Sequence, residues 1–237
     1  MGAEATDTDY FFEDTVIRRE STTRDLGVIV SKDLNTTENT MKTRLAALRS
    51  LWSLKRSFAS WSIPIARKLY TSFVRPILEY ATTATFPQTA KEELLLEGVQ
   101  RLATRMVPEL RCKEYSERCQ DMNLFTLYYR RVRGDMILLY KILCAARLPD
   151  LSQLFELDNH SALRGHKYKL KINRSDKLPH VCRLSRRAPA MWNALPPDVV
   201  ESASVQEFKK KLDDFLVRRP EDGSRRQIHL PGYPRGW

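Results

Sequence analysis

Tyr129, Val132, Met136, Leu139 and Leu143 recur at steps of three and four residues, which winds them into one apolar stripe along a helix. Thr126 offers a side-chain oxygen to the unpaired amides of the first turn, so the spacing predicts a helix from there to about Ala145, led by a short helix over 114–122. The other face of the long helix carries Arg130, Arg133 and Lys141, while Arg131 and Asp135 stand one turn apart and can pair. Two readings of that face stand side by side. One is a solvated face with an ion pair worth about 0.2–0.5 kcal/mol; the other is a basic ridge that grips phosphates. Gly134 sits in mid-helix, where glycine costs about 1 kcal/mol relative to alanine, so close approach of another backbone is expected to offset it.

Along the rest of the chain, apolar runs at Tyr10–Phe12 with Val16-Ile17, and at Leu26–Val30, flank a polar stretch and predict two short strands. Asn35, Thr36 and Thr37 form a capping cluster before Met41, Leu45, Leu48, Trp52 and Phe58, with Leu51 and Leu54 widening the stripe, so a helix is expected over about 37–58. Ser62 with Pro64 opens a second helix, built on Ile65, Leu69, Phe73, Val74 and Ile77, which Pro76 is expected to bend or stop. A third, over about 87–107, is expected to bury Leu94, Leu95, Val99, Leu102 and Met106. Ser204 and Glu207 make a capping box before a last helix built on Val205, Phe208, Leu212 and Phe215. The fold class is therefore mainly α: a helical array with a short N-terminal β-hairpin and an irregular C-terminal segment ending in one helix.

Composition adds a charge to this frame. The 237 residues carry a net charge of +11, and residues 1–14 hold five acids and no base, so the remainder carries +16. Such an excess favours an acidic partner, nucleic acid first. Lys42, Arg44, Arg49, Lys55 and Arg56 line the helix at 37–58 with no acid after Glu38, whereas a solvated face usually mixes signs. The four cysteines form no CxxC pair and read as reduced and structural, in a chain expected to be intracellular, in nucleus or cytoplasm. No apolar run approaches the length of a membrane span, and no membrane partner is expected. His180 and Cys182 stand too close together for the usual zinc-finger spacings, and with His160 and His166 they carry no metal expectation.

Several stretches resemble one family. Tyr115, Glu117, Arg118, Leu124, Leu127, Arg130, Arg131, Arg133-Gly134-Asp135, Tyr140 and Lys141 are similar, in type and spacing, to the segment after the polymerase core in reverse transcriptases of jockey-type non-LTR retrotransposons. Asp25-Leu26-Gly27-Val28 resembles the family's DLGV signature, Leu78-Glu79-Tyr80 its LEY motif, and Val99-Gln100-Arg101 its VQR element. Phe86-Pro87 stands where the family usually has Trp-Pro, while Gly165-His166, Trp192-Asn193 and Leu195-Pro196 resemble its C-terminal motifs.

The resemblance implies the end of a palm, a thumb and a C-terminal segment. After a start (1–9) whose acidic, small residues read as disordered, it divides the chain into a palm-end hairpin (10–32), thumb-like helices (33–110) and the long basic helix with its lead-in (111–147). The C-terminal segment (148–217) and a disordered tail (218–237) follow. It also implies two metal-holding aspartates on an aromatic-x-Asp-Asp turn, and this chain has no such turn. Asp213-Asp214 lies in an amphipathic helix, and Glu79 has no second acid nearby, so no catalytic residue and no cofactor are expected. The expected function is sequence-independent binding of RNA, DNA or their hybrid by a truncated product, through Lys42, Arg49, Lys55, Arg56, Arg130, Arg131 and Arg133. The alternatives are a protein-interaction module, docking on an intact reverse transcriptase for instance, or a relic without function.

Overall fold

The computed structural model describes residues 10–17, 19–145, 148–158, 165–172 and 183–217. The expectations of disorder at 1–9 and 218–237, and the readings of His160, His180 and Cys182, lie outside the described residues. The chain is mainly α, as its periodicity predicts.

The N-terminal apolar runs do not make one hairpin of two strands. Each belongs to its own antiparallel pair: β1 (Tyr10–Phe12) with β2 (Thr15–Ile17), and β3 (Thr22–Asp25) with β4 (Val28–Ser31). The polar Thr22–Asp25 stretch, expected to be a connection, is itself a strand because Leu26 and Gly27 both adopt positive φ (44° and 87°). That conformation twists a two-residue turn to suit the strands, and glycine makes it accessible.

Helix α1 (Thr37–Ser57) packs against α4 (Ala90–Arg105), with α2 (Ile63–Leu69) and α3 (Arg75–Glu79) alongside. Pro76 does not stop the second helix. A π-turn over Tyr70–Val74 shifts the hydrogen-bond register ahead of it, the Arg75 amide donating to the Tyr70 carbonyl, and the helix runs through to Glu79. Ser62 stands at the N-cap of α2 without a side-chain capping bond, whereas Thr89 and Glu92 form a complete capping box on α4. The first core gathers Ala47, Leu51, Tyr70, Leu96, Val99 and Ala103 with their neighbours. Of the residues expected inside α1 and α4, Met41, Leu45, Trp52, Phe58 and Leu94 are exposed. Ala47 and Ala103, small as they are, lie on the buried faces of the two helices instead.

The short α5 (Tyr115–Asp121) leads into α6 (Leu127–Leu143), where Thr126 accepts the Tyr129 amide as expected. The stripe of Tyr129, Val132, Met136 and Leu139 is buried against α7 (Leu184–Asn193), α8 (Pro197–Val200) and α9 (Val205–Val217), which close the second core around Trp192 and Phe208. Ser204 and Glu207 cap α9, Glu207 reaching back to the Ala203 amide at 2.9 Å. Because α6 borders both cores, burial runs almost all round it.

Gly134 is the exception on α6: it is exposed, and a Cβ there would meet nothing within 4 Å. No neighbouring backbone explains it. Gly134→Ala is therefore expected to raise stability by about 1 kcal/mol, read as a higher midpoint of urea unfolding, because alanine loses less backbone freedom on forming a helix.

Candidate nucleic-acid interface

The seven cations proposed from sequence separate into two groups. The three on α6 are engaged by the fold, Arg131 by burial and the partly exposed Arg130 and Arg133 by ion pairs. Arg130 makes a two-pronged pair with Glu79, its Nη2 reaching Oε2 at 3.0 Å, and Arg75 approaches the same carboxylate. Arg133 grips Asp213 through Nε at 2.5 Å and Nη2 at 2.7 Å, and the Tyr129 hydroxyl bonds the same oxygen that Nε contacts. Arg131 is only 4 % exposed. Its two Nη atoms have no hydrogen-bond partner among the described residues, and it lines a cavity of about 10 Å³ shared with Asn39, Thr40, Thr43 and Tyr80.

These placements overturn the basic-ridge reading of α6. Arg131 is shut inside a core, and Arg130 and Arg133 would have to share or give up a carboxylate to meet a phosphate. Asp135, expected to pair with Arg131, receives Arg187 from α7, at 2.7 and 2.9 Å. Burial lowers the pKa of Arg131, an effect opposed by the carboxylates of Glu97 and Glu93. Burial in turn pushes Glu97 up and Glu93 up to about 7. The partners of Arg130, Arg133 and Asp135 lie 51, 80 and 52 residues away in sequence, so helical spacing on α6 carries no signal of them.

The four on α1 face outward to varying degrees. Lys42 donates to the Gly27 carbonyl at 2.9 Å, tying α1 to the β3–β4 turn, and Lys55 lies 4.9 Å above the Trp61 ring. Arg49 and Arg56 are exposed. Among the described residues, neither of these nor Arg44 has an ion-pair or hydrogen-bond partner. Sequence reasoning left out further exposed cations on the helical array, namely Arg67, Lys68, Arg101 and Arg105. Their signal was an outward position on helices whose buried side was already legible.

The residues that carry the family resemblance meet one another. Tyr80 donates to the Leu26 carbonyl at 2.7 Å, so the LEY-like and DLGV-like segments touch. Glu79 of the first takes Arg130. Gln100 is fully buried, accepting the Tyr70 hydroxyl at 2.8 Å and donating to the Tyr115 hydroxyl and the Phe125 carbonyl. Trp192 is buried with its indole donating to the Tyr168 carbonyl, an anchor rather than a platform for bases. His166 packs edge-on against that indole, and burial lowers its pKa.

Among the described residues, no cluster of three or more His, Cys, Asp or Glu side chains has a metal-holding arrangement, and no helix is long and apolar enough to cross a membrane. No protein-family model, curated protein or solved structure matches the chain.

Proposed function

We propose that the chain is a piece of a non-LTR retrotransposon reverse transcriptase, spanning the end of the palm, the thumb and the C-terminal segment, and that it binds nucleic acid without polymerase activity of its own. The observation that carries the binding is the composition of α1: five cations and no acid after Glu38, with Arg44, Arg49 and Arg56 free of partners among the described residues. Phosphates along a strand are recognised by such a row without any reading of bases. The interface consists of Arg49 and Arg56 on one side of α1, with Arg44 and Lys55 on the other side of its exposed face. Arg130, Arg131 and Arg133 drop out of it. The family origin rests on the quoted motifs and draws support from the contacts among them.

Fluorescence anisotropy of a labelled RNA–DNA hybrid, titrated at several salt concentrations, tests the binding. Micromolar or tighter affinity that falls steeply with salt is expected. Arg49→Ala with Arg56→Ala should flatten the log–log slope by about 0.9 for each phosphate the protein no longer neutralises. Lys113→Ala, whose charge is already met by Asp121 at 2.9 Å, should leave the slope unchanged. Absence of binding at low salt by a folded protein would remove the proposal.

A further inference from the structure

Helix α1 has a second apolar face that the fold leaves open. Met41, Leu45 and Trp52 are 40, 46 and 49 % exposed, and Leu48 between them is half-buried. Their steps of four, three and four residues form a seam of the kind along which two helices pack. From Met41 to Trp52 it rises about 16 Å. Lys42, Arg49 and Arg56, at steps of seven, flank one side, and Arg44 and Lys55 flank the other.

This charge decides what can cover the seam. Pairing with the α1 of another copy would set five cations against five, and like charges facing across a seam are destabilising. The occupant must be apolar and acidic. Among the described residues the β1–β2 hairpin fits that description most fully, since its aromatic side chains are more exposed than the leucines of the acidic 148–158 stretch. In the β1–β2 hairpin Tyr10, Phe11, Phe12, Val16 and Ile17 are all exposed, with Glu13 and Asp14 in the turn and Glu4, Asp7 and Asp9 ahead in the sequence. A two-stranded hairpin with no packed face is marginal by itself. The hairpin does not lie on its own α1, since both surfaces are open in one copy.

We propose that the chain self-associates as a two-fold dimer in which the acidic, aromatic β1–β2 hairpin of each copy covers the apolar, basic face of α1 on the other. A two-fold exchange covers both surfaces on both copies and closes on itself. The proposal does not depend on nucleic-acid binding, although the hairpin acids and a phosphate strand would compete for Arg49 and Arg56.

Sedimentation velocity of the full chain over a concentration series, without nucleic acid, tests it. A reversible doubling of the 27.6 kDa mass is expected, weakening as salt rises. Phe11→Ser with Phe12→Ser, and separately Leu45→Ser with Trp52→Ser, should each raise the dissociation constant about tenfold or more; all four side chains are exposed, so the cores stay intact. Glu13→Arg with Asp14→Arg should weaken the dimer, and adding Arg49→Glu with Arg56→Glu should restore it. A monomer at every concentration, or a dimer indifferent to all of these changes, would overturn the proposal. Hybrid binding by a purely monomeric protein would do so while leaving the preceding reading intact, and dimerisation by a protein whose dissociated subunits bind no hybrid would do the reverse.

Discussion

Replacing Asp135 by Ala is expected to lower stability by about 3–5 kcal/mol, a large share of the total for a domain of this size. The carboxylate of Asp135 and the guanidinium of Arg187 are 2 and 0 % exposed, and they meet through two hydrogen bonds, of 2.7 and 2.9 Å. Removing the acid leaves a positive charge in a place water does not reach. Arg187 also stacks 4.2 Å over the Phe86 ring and reaches the Thr83 carbonyl, so the same charge joins α6, α7 and the loop after α3. Chemical denaturation followed by circular dichroism measures the loss. The double variant Asp135→Leu with Arg187→Met should recover most of it, because two apolar side chains of similar volume carry no desolvation penalty. A single variant as stable as the parent would show that the pair contributes nothing.

Trp192→Ala is expected to lose about 3–5 kcal/mol by a different route. The indole is fully buried at the centre of the second core, its ring 6.2 Å from that of Phe208 and 5.8 Å from that of His166. Truncation opens a cavity and also strips the Tyr168 carbonyl of its donor. Trp192→Phe keeps much of the volume and loses only the N–H donor and part of the ring, so it should fall between the parent and the alanine variant in urea midpoint. Equal midpoints for the phenylalanine and alanine variants would show that the hydrogen bond, not the packing, is what matters there.

What the sequence revealed and what it hid divide along physical lines. The long helix, its Thr126 cap and its buried stripe were legible because Tyr129, Val132, Met136 and Leu139 all lie within one element and obey its period. The capping box of α9 was legible for the same reason. On α1 the period was read correctly and the face was not. Large side chains at Met41, Leu45 and Trp52 outweighed Ala47 in the pattern, yet the small residue lies on the buried side. The fate of the α6 arginines was invisible, since Glu79, Asp213 and Arg187 arrive from distant parts of the chain. One-sided charge on a helix thus left cations open to solvent on α1, where no distant acid comes to meet them, and not on α6.

The second core also has a bearing on how the protein is made. Its main contributors are α6 and, far downstream, α7 to α9, and the bonds from Arg133 and Tyr129 to Asp213 span 80 and 84 residues. During synthesis the α6 stripe that faces the second core leaves the ribosome well before α7 to α9 exist to cover it, although its other side can already meet α4. The first core can close earlier, because its α1 to α4 contacts are complete once α4 has emerged. A nascent chain halted between these two points carries a finished array of helices with the apolar stripe of α6 bare, which is the kind of surface chaperones hold and proteases cut. Arrival of α9, with Phe208, Leu212 and Leu216, is what completes the described second core.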